Sequence, residues 1–234
     1  MGLKAVFFDL DDTLYTSFQA GDTYAYEKLE EWAVNTFGDK GTGFAEAFRA
    51  SRKQLARRQP SMPPTHDRVL FAQGALESMG LNAVRYSREA FRVYWDAVFA
   101  RMTLRPGVAE CLEELRAAGI KVAVCTNMLA DIQMEKLEYL GIADKVDFLV
   151  TSEEAGADKP GAPIFWLAMH NCRCLPEEAV MVGDNWNHDV QGALDAGIDG
   201  IWLNWTGKPR PESTLAYTEV STFEQAAAHI RTLL

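Results

Sequence analysis

Two carboxylates stand two positions apart in KAVFFDLDDTL, residues 4–14, at the end of an apolar run. Asp9 closes the run and Asp11 follows, while Asp12, Thr13 and Leu14 lead the chain away. Polar groups follow three later apolar runs. Thr126-Asn127 comes after KVAVC, Lys159 lies in ADKPG after DFLV, and Asp184 lies in VMVGDNWNHD with Asp189 five residues on. Taken singly, each has a plain structural alternative: an acidic turn held by Asx hydrogen bonds, a helix cap, a solvated loop lysine, a glycine turn. Taken together they support a specific chemistry. Asp9, Asp184 and Asp189 would offer hard oxygen ligands that suit Mg²⁺, and the lack of His or Cys among them argues against zinc. Crowded carboxylates raise one another's pKa unless a cation lies among them. With a cation present, Asp9 can stay an ionised nucleophile, as aspartyl-phosphate chemistry requires. The Thr126 hydroxyl, the Asn127 backbone N–H and the Lys159 ammonium would offset charge on a phosphoryl group. Asp11 would protonate the leaving oxygen and then deprotonate the attacking water.

Such groups work only if the elements beneath them bring them to one place. Lys4 to Phe8 is apolar without alternation after its first residue, the pattern of a parallel strand buried on both faces. From about residue 104 onward the chain reads as alternating helix and strand. GVAECLEELRAAG lies between Pro106 and a closing Gly119, and KVAVC is a short buried strand. Helices are expected at 129–140, 163–171, 189–196 and 223–233, and strands at 147–150, 179–182 and 200–203. That alternation predicts an α/β fold, a parallel sheet wound on both faces by right-handed crossovers. All strand carboxyl ends then open on one side, where such sheets keep their ligand crevices. The stretch 207–218 is expected to cross the surface.

Residues 17 to about 100 break the pattern. Amphipathic stretches at 20–37, 43–58, 66–79 and 87–101 are separated by glycines and prolines, and the block is too long for a crossover. An inserted helical cap domain, 17–101, is expected within a core formed by 1–16 and 102–234. Arg49, Arg52, Lys53 and Arg57 fall at helical spacing in the second stretch, as a solvated face or as contacts to a substrate anion.

Composition sets bounds on partners. The 234 residues carry a net charge of −10, which argues against a nucleic-acid polymer or an anionic membrane. No run of 18 apolar residues and no charged-then-apolar leader occurs, so no membrane span is expected, and a cytoplasmic setting is. Of the four cysteines, Cys125 lies in a strand and reads as core, and the Cys172/Cys174 pair has no metal-ligand spacing around it.

The set DLDDTLY at 9–15, TN at 126–127, DKP at 158–160 and GDNWNHD at 183–189 resembles the four motifs of the haloacid dehalogenase-like hydrolase superfamily. The resemblance covers essentially the whole chain. It implies a Rossmann-like core with a helical cap, Asp9 as nucleophile, Asp11 as general acid and base, and Thr126 and Lys159 as phosphate ligands. It also implies Mg²⁺ held by Asp9, the Asp11 carbonyl and Asp184, with Asp189 supporting. Dehalogenating members lack an acid at the position of Asp11. The expected activity is therefore hydrolysis of a small phosphorylated metabolite, nucleoside 5′-monophosphates included, because a phosphoester leaving group needs a proton and a halide does not. Residues 150–169 and 182–205 most resemble the subgroup with pyrimidine 5′-nucleotidases. Two alternatives share the scaffold, a sugar phosphomutase of the β-phosphoglucomutase type and a non-catalytic binding protein. His188 departs from the usual Asn or Ser before the last aspartate. Tyr15 and Phe18 are expected to line the mouth of the site.

Overall fold

The computed structural model describes residues 2–16, 18–60, 62–209 and 211–234. The chain forms two compact units, one of residues 1–16 and 103–234, the other of residues 17–102.

The first unit is built on a six-stranded sheet. Its strands are β1 (Ala5–Phe8), β4 (Lys121–Thr126), β5 (Phe148–Thr151), β6 (Ala179–Gly183), β7 (Asp199–Leu203) and β8 (Thr218–Val220). They run parallel in the order β5-β4-β1-β6-β7-β8. Two short strands, β2 (Tyr15–Thr16) and β3 (Thr103–Leu104), pair antiparallel where the chain leaves this unit and returns to it. The sheet order places β1 at the centre. The chain builds β4 and β5 on one side of it, then crosses to build β6, β7 and β8 on the other. Connections therefore diverge at the carboxyl end of β1, which opens a crevice there. Asp9 is the next residue.

Period-2 packing explains why β1 is apolar throughout. Ala5 and Phe7 join a core cluster with Ala123, Cys125 and Met181 and the helical residues Ile164, Phe165 and Ala168. Phe8 points the other way, its ring 6.0 Å from that of Phe223. Helices thus cover both faces, and neither face of the strand tolerates a polar residue.

Elements expected from periodicity differ from the structure mainly where tertiary pairing decides. The surface crossing at 207–218 ends in β8, which gains its ladder only because β7 is there to pair with. The helix expected at 189–196 begins earlier and winds more widely. Trp186–Gln191 form a π-helical turn capped by Asn185, and a short α-helix, Gly192–Asp195, completes it. Such wide turns recur at functional sites, where they re-aim a side chain.

The second unit packs α1 (Phe18–Phe37), α2 (Phe44–Arg58), α3 (Arg68–Ser78) and α4 (Ala83–Phe99). Asp67 and Asn82 cap α3 and α4, accepting from the Val69 and Arg85 N–H groups. Its core is aromatic: the Phe48 ring stacks on Tyr94 and meets Tyr26 and Phe71 edge-on. Gly21 lets α1 approach α4 closely, since a Cβ there would lie 3.3 Å from the Val98 backbone. No helix among the described residues is long and apolar enough to cross a membrane.

Candidate active site

The ends of β1, β4 and β6, with Lys159 from the loop beyond β5, converge on a cavity of about 150 Å³ lined by Asp9, Asp11, Thr126, Asn127, Lys159, Asp184, Asn185, His188 and Asp189. All seven site residues expected from the sequence line it. Asp9 stands one residue past β1 and is held by its N–H to the Val182 carbonyl at 2.9 Å. Asp12, at φ 60°, turns the loop back; an aspartate tolerates this left-handed conformation better than most residues. Its carbonyl accepts from the Arg105 guanidinium at 2.7 Å.

Lys159 is the electrostatic centre of the site. Its buried ammonium donates to Asp9 Oδ1 at 2.8 Å, to Asp189 Oδ1 at 2.6 Å and to the Cys125 carbonyl at 2.7 Å. Asn127 clamps its backbone, Oδ1 accepting the Lys159 N–H at 2.7 Å and Nδ2 donating to the Lys159 carbonyl at 3.0 Å. Burial alone would pull this ammonium down, but Asp189 and Asp9 hold it above its ordinary range. Burial pushes the Asp9 carboxyl well up, opposed by Lys159 and reinforced by Asp189, Asp184 and Asp11. Burial, then Asp189 and Asp12, lift Asp184 to about 7 against Lys208 and Lys159.

Oxygens of Asp9, Asp184 and Asp189 lie within 4.8 Å of one another. Were all three carboxylates to ionise, the one buried ammonium would leave two negative charges uncompensated. A divalent cation with hard-ligand preference fits that charge and donor set. Asp189 has both oxygens engaged, Oδ1 by Lys159 and Oδ2 by the Asn185 N–H at 2.9 Å.

Several residues that hold the site carry a weak sequence signal. The buried Thr13 hydroxyl donates to Asp9 Oδ2 at 3.2 Å and accepts the Asp184 N–H at 3.0 Å, tying two strand ends together. Gly183 has no room for a side chain: a Cβ there would lie 2.3 Å from the Asp189 carboxylate. Tyr15 does not sit at a mouth. It is fully buried, and its hydroxyl donates to Asp11 Oδ1. The antiparallel pairing of β2 with β3 turns that side chain inward. Gln133 and Lys136 come from α6 (Ala130–Tyr139), with α5 (Val108–Ala117) preceding it in the chain. Both lie fully buried among Ile132 and Leu137, and a glutamine and a lysine on the apolar stripe of a helix were the available signal.

Cys172 ends α8 (Ala162–Cys172), the helix after the one-turn α7 (Ser152–Ala155), and burial raises its thiol to about 12. Neither it nor Cys174 lines this cavity. In the second unit Arg49 lies over the Tyr26 ring at 3.9 Å and Arg52 faces Asp22 at 4.0 Å.

Comparison with known proteins agrees with this architecture. Residues 3–197 match the haloacid dehalogenase-like hydrolase family model. The chain is 35% identical to ribulose-1,5-bisphosphate 5-phosphatase from Halopiger xanaduensis over 98% of its own length and 95% of that protein's. It is 28% identical to the pyrimidine 5′-nucleotidase YjjG of Escherichia coli, covering 94% of each chain. Its fold is similar to the crystal structure of 2-haloacid dehalogenase from Pseudomonas syringae pv. Tomato DC3000, with a TM-score of 0.84, 28% identity, and coverage of 99% and 100% of the two chains. A six-stranded parallel sheet with acidic strand ends and a family match over most of its length lead to one conclusion: the chain belongs to the haloacid dehalogenase-like hydrolases.

Proposed function

We propose that this hydrolase releases phosphate from a small phosphorylated metabolite through an aspartyl phosphate on Asp9, with Mg²⁺ bound. One observation carries the reading: a second carboxylate, Asp11, shares the cavity with Asp9, Thr126 and Lys159. Asp9 attacks phosphorus while Asp11 gives a proton to the departing alcohol oxygen. Water then attacks the acyl phosphate, Asp11 takes back a proton, and inorganic phosphate leaves. The Thr126 hydroxyl and Lys159 ammonium offset the charge on the phosphoryl oxygens, with the Asn127 backbone N–H as a further donor. Asp9, Asp184 and the Asp11 carbonyl hold Mg²⁺, supported by Asp189. When bound, the ion neutralises carboxylate and phosphate charge together. Asn127 also keeps Lys159 in place. Residues 17–102 serve as a cap and residues 1–16 with 103–234 as the catalytic core.

For the substrate, the 35% relative named for ribulose 1,5-bisphosphate supports a sugar phosphate. The 28% relative named a pyrimidine 5′-nucleotidase supports a nucleoside monophosphate. The likeness to a 2-haloacid dehalogenase favours a competing reaction on the same nucleophile. Asp11 speaks against it, because a departing halide needs no proton.

The test is a panel of sugar phosphates, nucleoside monophosphates, p-nitrophenyl phosphate and 2-chloropropionate, assayed for phosphate and chloride. Phosphate release that stops in chelator and returns with Mg²⁺ is expected. Asp9→Asn should lower it by at least about 10³-fold without loss of fold. Chloride release without phosphate release would replace this reading with dehalogenation.

A further inference from the structure

We infer that Lys136, acting with Gln133 and Tyr15, is a positioning residue for Asp11; the inference rests on the phosphatase reading of this site. The Lys136 side chain is 0% exposed, and its ammonium pairs with Asp11 Oδ1, the oxygen that also accepts from the Tyr15 hydroxyl. Asp11 itself is 20% exposed and fronts the cavity. The arrangement is therefore one-sided, with a fully desolvated cation beneath a carboxylate that meets solvent.

A lysine is an expensive way to fill the apolar stripe of α6. Burying an ammonium costs several kcal/mol, and a leucine or methionine of similar size would pack there without that penalty. Position is what the lysine adds. Asp11 lies on a loop after β1, and its carboxylate would otherwise sample several rotamers. Bonds to Lys136 and Tyr15 on one oxygen, and Gln133 Nε2 at 3.4 Å from the other, hold it in one. A proton donor displaced by about 1 Å loses on the order of 10² in rate.

Gln133 extends the device to the phosphate-binding side. Its Nε2 also donates to Thr126 Oγ1 at 2.6 Å, while its Oε1 is buried with no hydrogen-bond partner among the described residues. Leaving a buried acceptor unpaired costs stability, so this amide is not placed here by packing alone. Turned this way, the amide occupies an acceptor site on Thr126 and leaves the hydroxyl proton free to point into the cavity. One helix then orients both the proton donor and a phosphate ligand.

Leaving-group dependence separates positioning from general support of the fold. Phenyl phosphate releases a poor leaving group that needs the Asp11 proton, whereas p-nitrophenyl phosphate releases an acidic phenol that does not. Lys136→Met should lower kcat/KM for phenyl phosphate by about 30-fold and for p-nitrophenyl phosphate by less than about 3-fold. Tyr15→Phe, which preserves the packing, should shift the ratio in the same direction by about 3–10-fold. Equal losses on the two esters in both variants, or an unchanged ratio, would overturn the inference while leaving the phosphatase reading intact. Failure of that reading shows instead in the unmodified protein, as no phosphate from either ester, and takes the inference with it.

Discussion

Each unit buries a cation, Arg68 in one and Lys159 in the other, and their surroundings differ. In the helical unit Arg68 is 2% exposed, and its guanidinium lies over the rings of Phe71, Tyr94 and Trp95 at 5.6, 5.2 and 4.9 Å. It donates to the His66 carbonyl at 2.8 Å and to the Tyr94 hydroxyl at 3.3 Å. In the sheet unit Lys159, also 2% exposed, is held by two ionisable carboxylates and a carbonyl. The first cation sits in packing that includes three aromatic faces and, through the Tyr94 hydroxyl, reaches Asp22. The second stands among several carboxylates, and burial first, then their mutual repulsion, lifts Asp9 and Asp184 from their ordinary ranges. Burial with matched partners makes a core. Burial with unmatched charge makes a site that a cation or an anion can complete.

Removing each cation is the most severe way to break this comparison. Lys159→Met leaves two buried carboxylates facing one another and should cost about 3–5 kcal/mol in chelator-treated protein, with loss of turnover. Arg68→Met replaces a packed cation by a side chain of similar reach and should cost about 2 kcal/mol or less. Chemical denaturation of both variants measures the difference, and equal costs would remove the distinction between the two units. Gly183→Ala probes the packing that holds Asp189 in place. A new Cβ 2.3 Å from that carboxylate must push it away from Lys159, costing about 1–3 kcal/mol and most of the activity. Normal activity in this variant would mean that Asp189 has no part in holding Lys159.

The smallest effect concerns pH. Asp184 titrates near 7 in the folded protein, above the ordinary carboxylate value of an unfolded chain. Between about pH 4 and pH 7 the folded state therefore binds more protons than the unfolded state. Stability of chelator-treated protein should fall as pH rises through that window, on the order of 2 kcal/mol or about 5 °C in Tm. Mg²⁺ binding to the ionised form should restore it, more at pH 7.5 than at pH 5.5. A melting temperature independent of pH and Mg²⁺ across this range would contradict the electrostatic account of the crevice.

Much of the site could be read in advance because its members sit at strand ends. Asp9, Thr126 and Asp184 each follow a short apolar run, and a parallel sheet carries every such position to the same edge; Lys159 lies farther on, in the loop past α7. Groups that act from the side were harder to see. Thr13 looked like the start of a loop, and Tyr15 looked like an aromatic at an opening, until β2 paired with β3 and turned its ring into the core. Local pattern reports whether a residue is apolar and how it repeats. It does not report which distant group a side chain meets.

Amino-acid order alone determined the alternation of strands and helices, the interruption by a long helical block, and the acidic set that names the chemistry. Those features depend on neighbours within a few residues, where apolar period and turn residues act directly. Only the tertiary structure decided that Lys159 would bridge Asp9 and Asp189, that Gly183 must lack a side chain, and that Lys136 would come up beneath Asp11. The last pair is 125 residues apart in the chain. Its meeting depends on β4 lying beside β1, which brings α6 down across the end of the central strand. Contacts of that separation are products of sheet order, and sheet order is settled by the whole core at once.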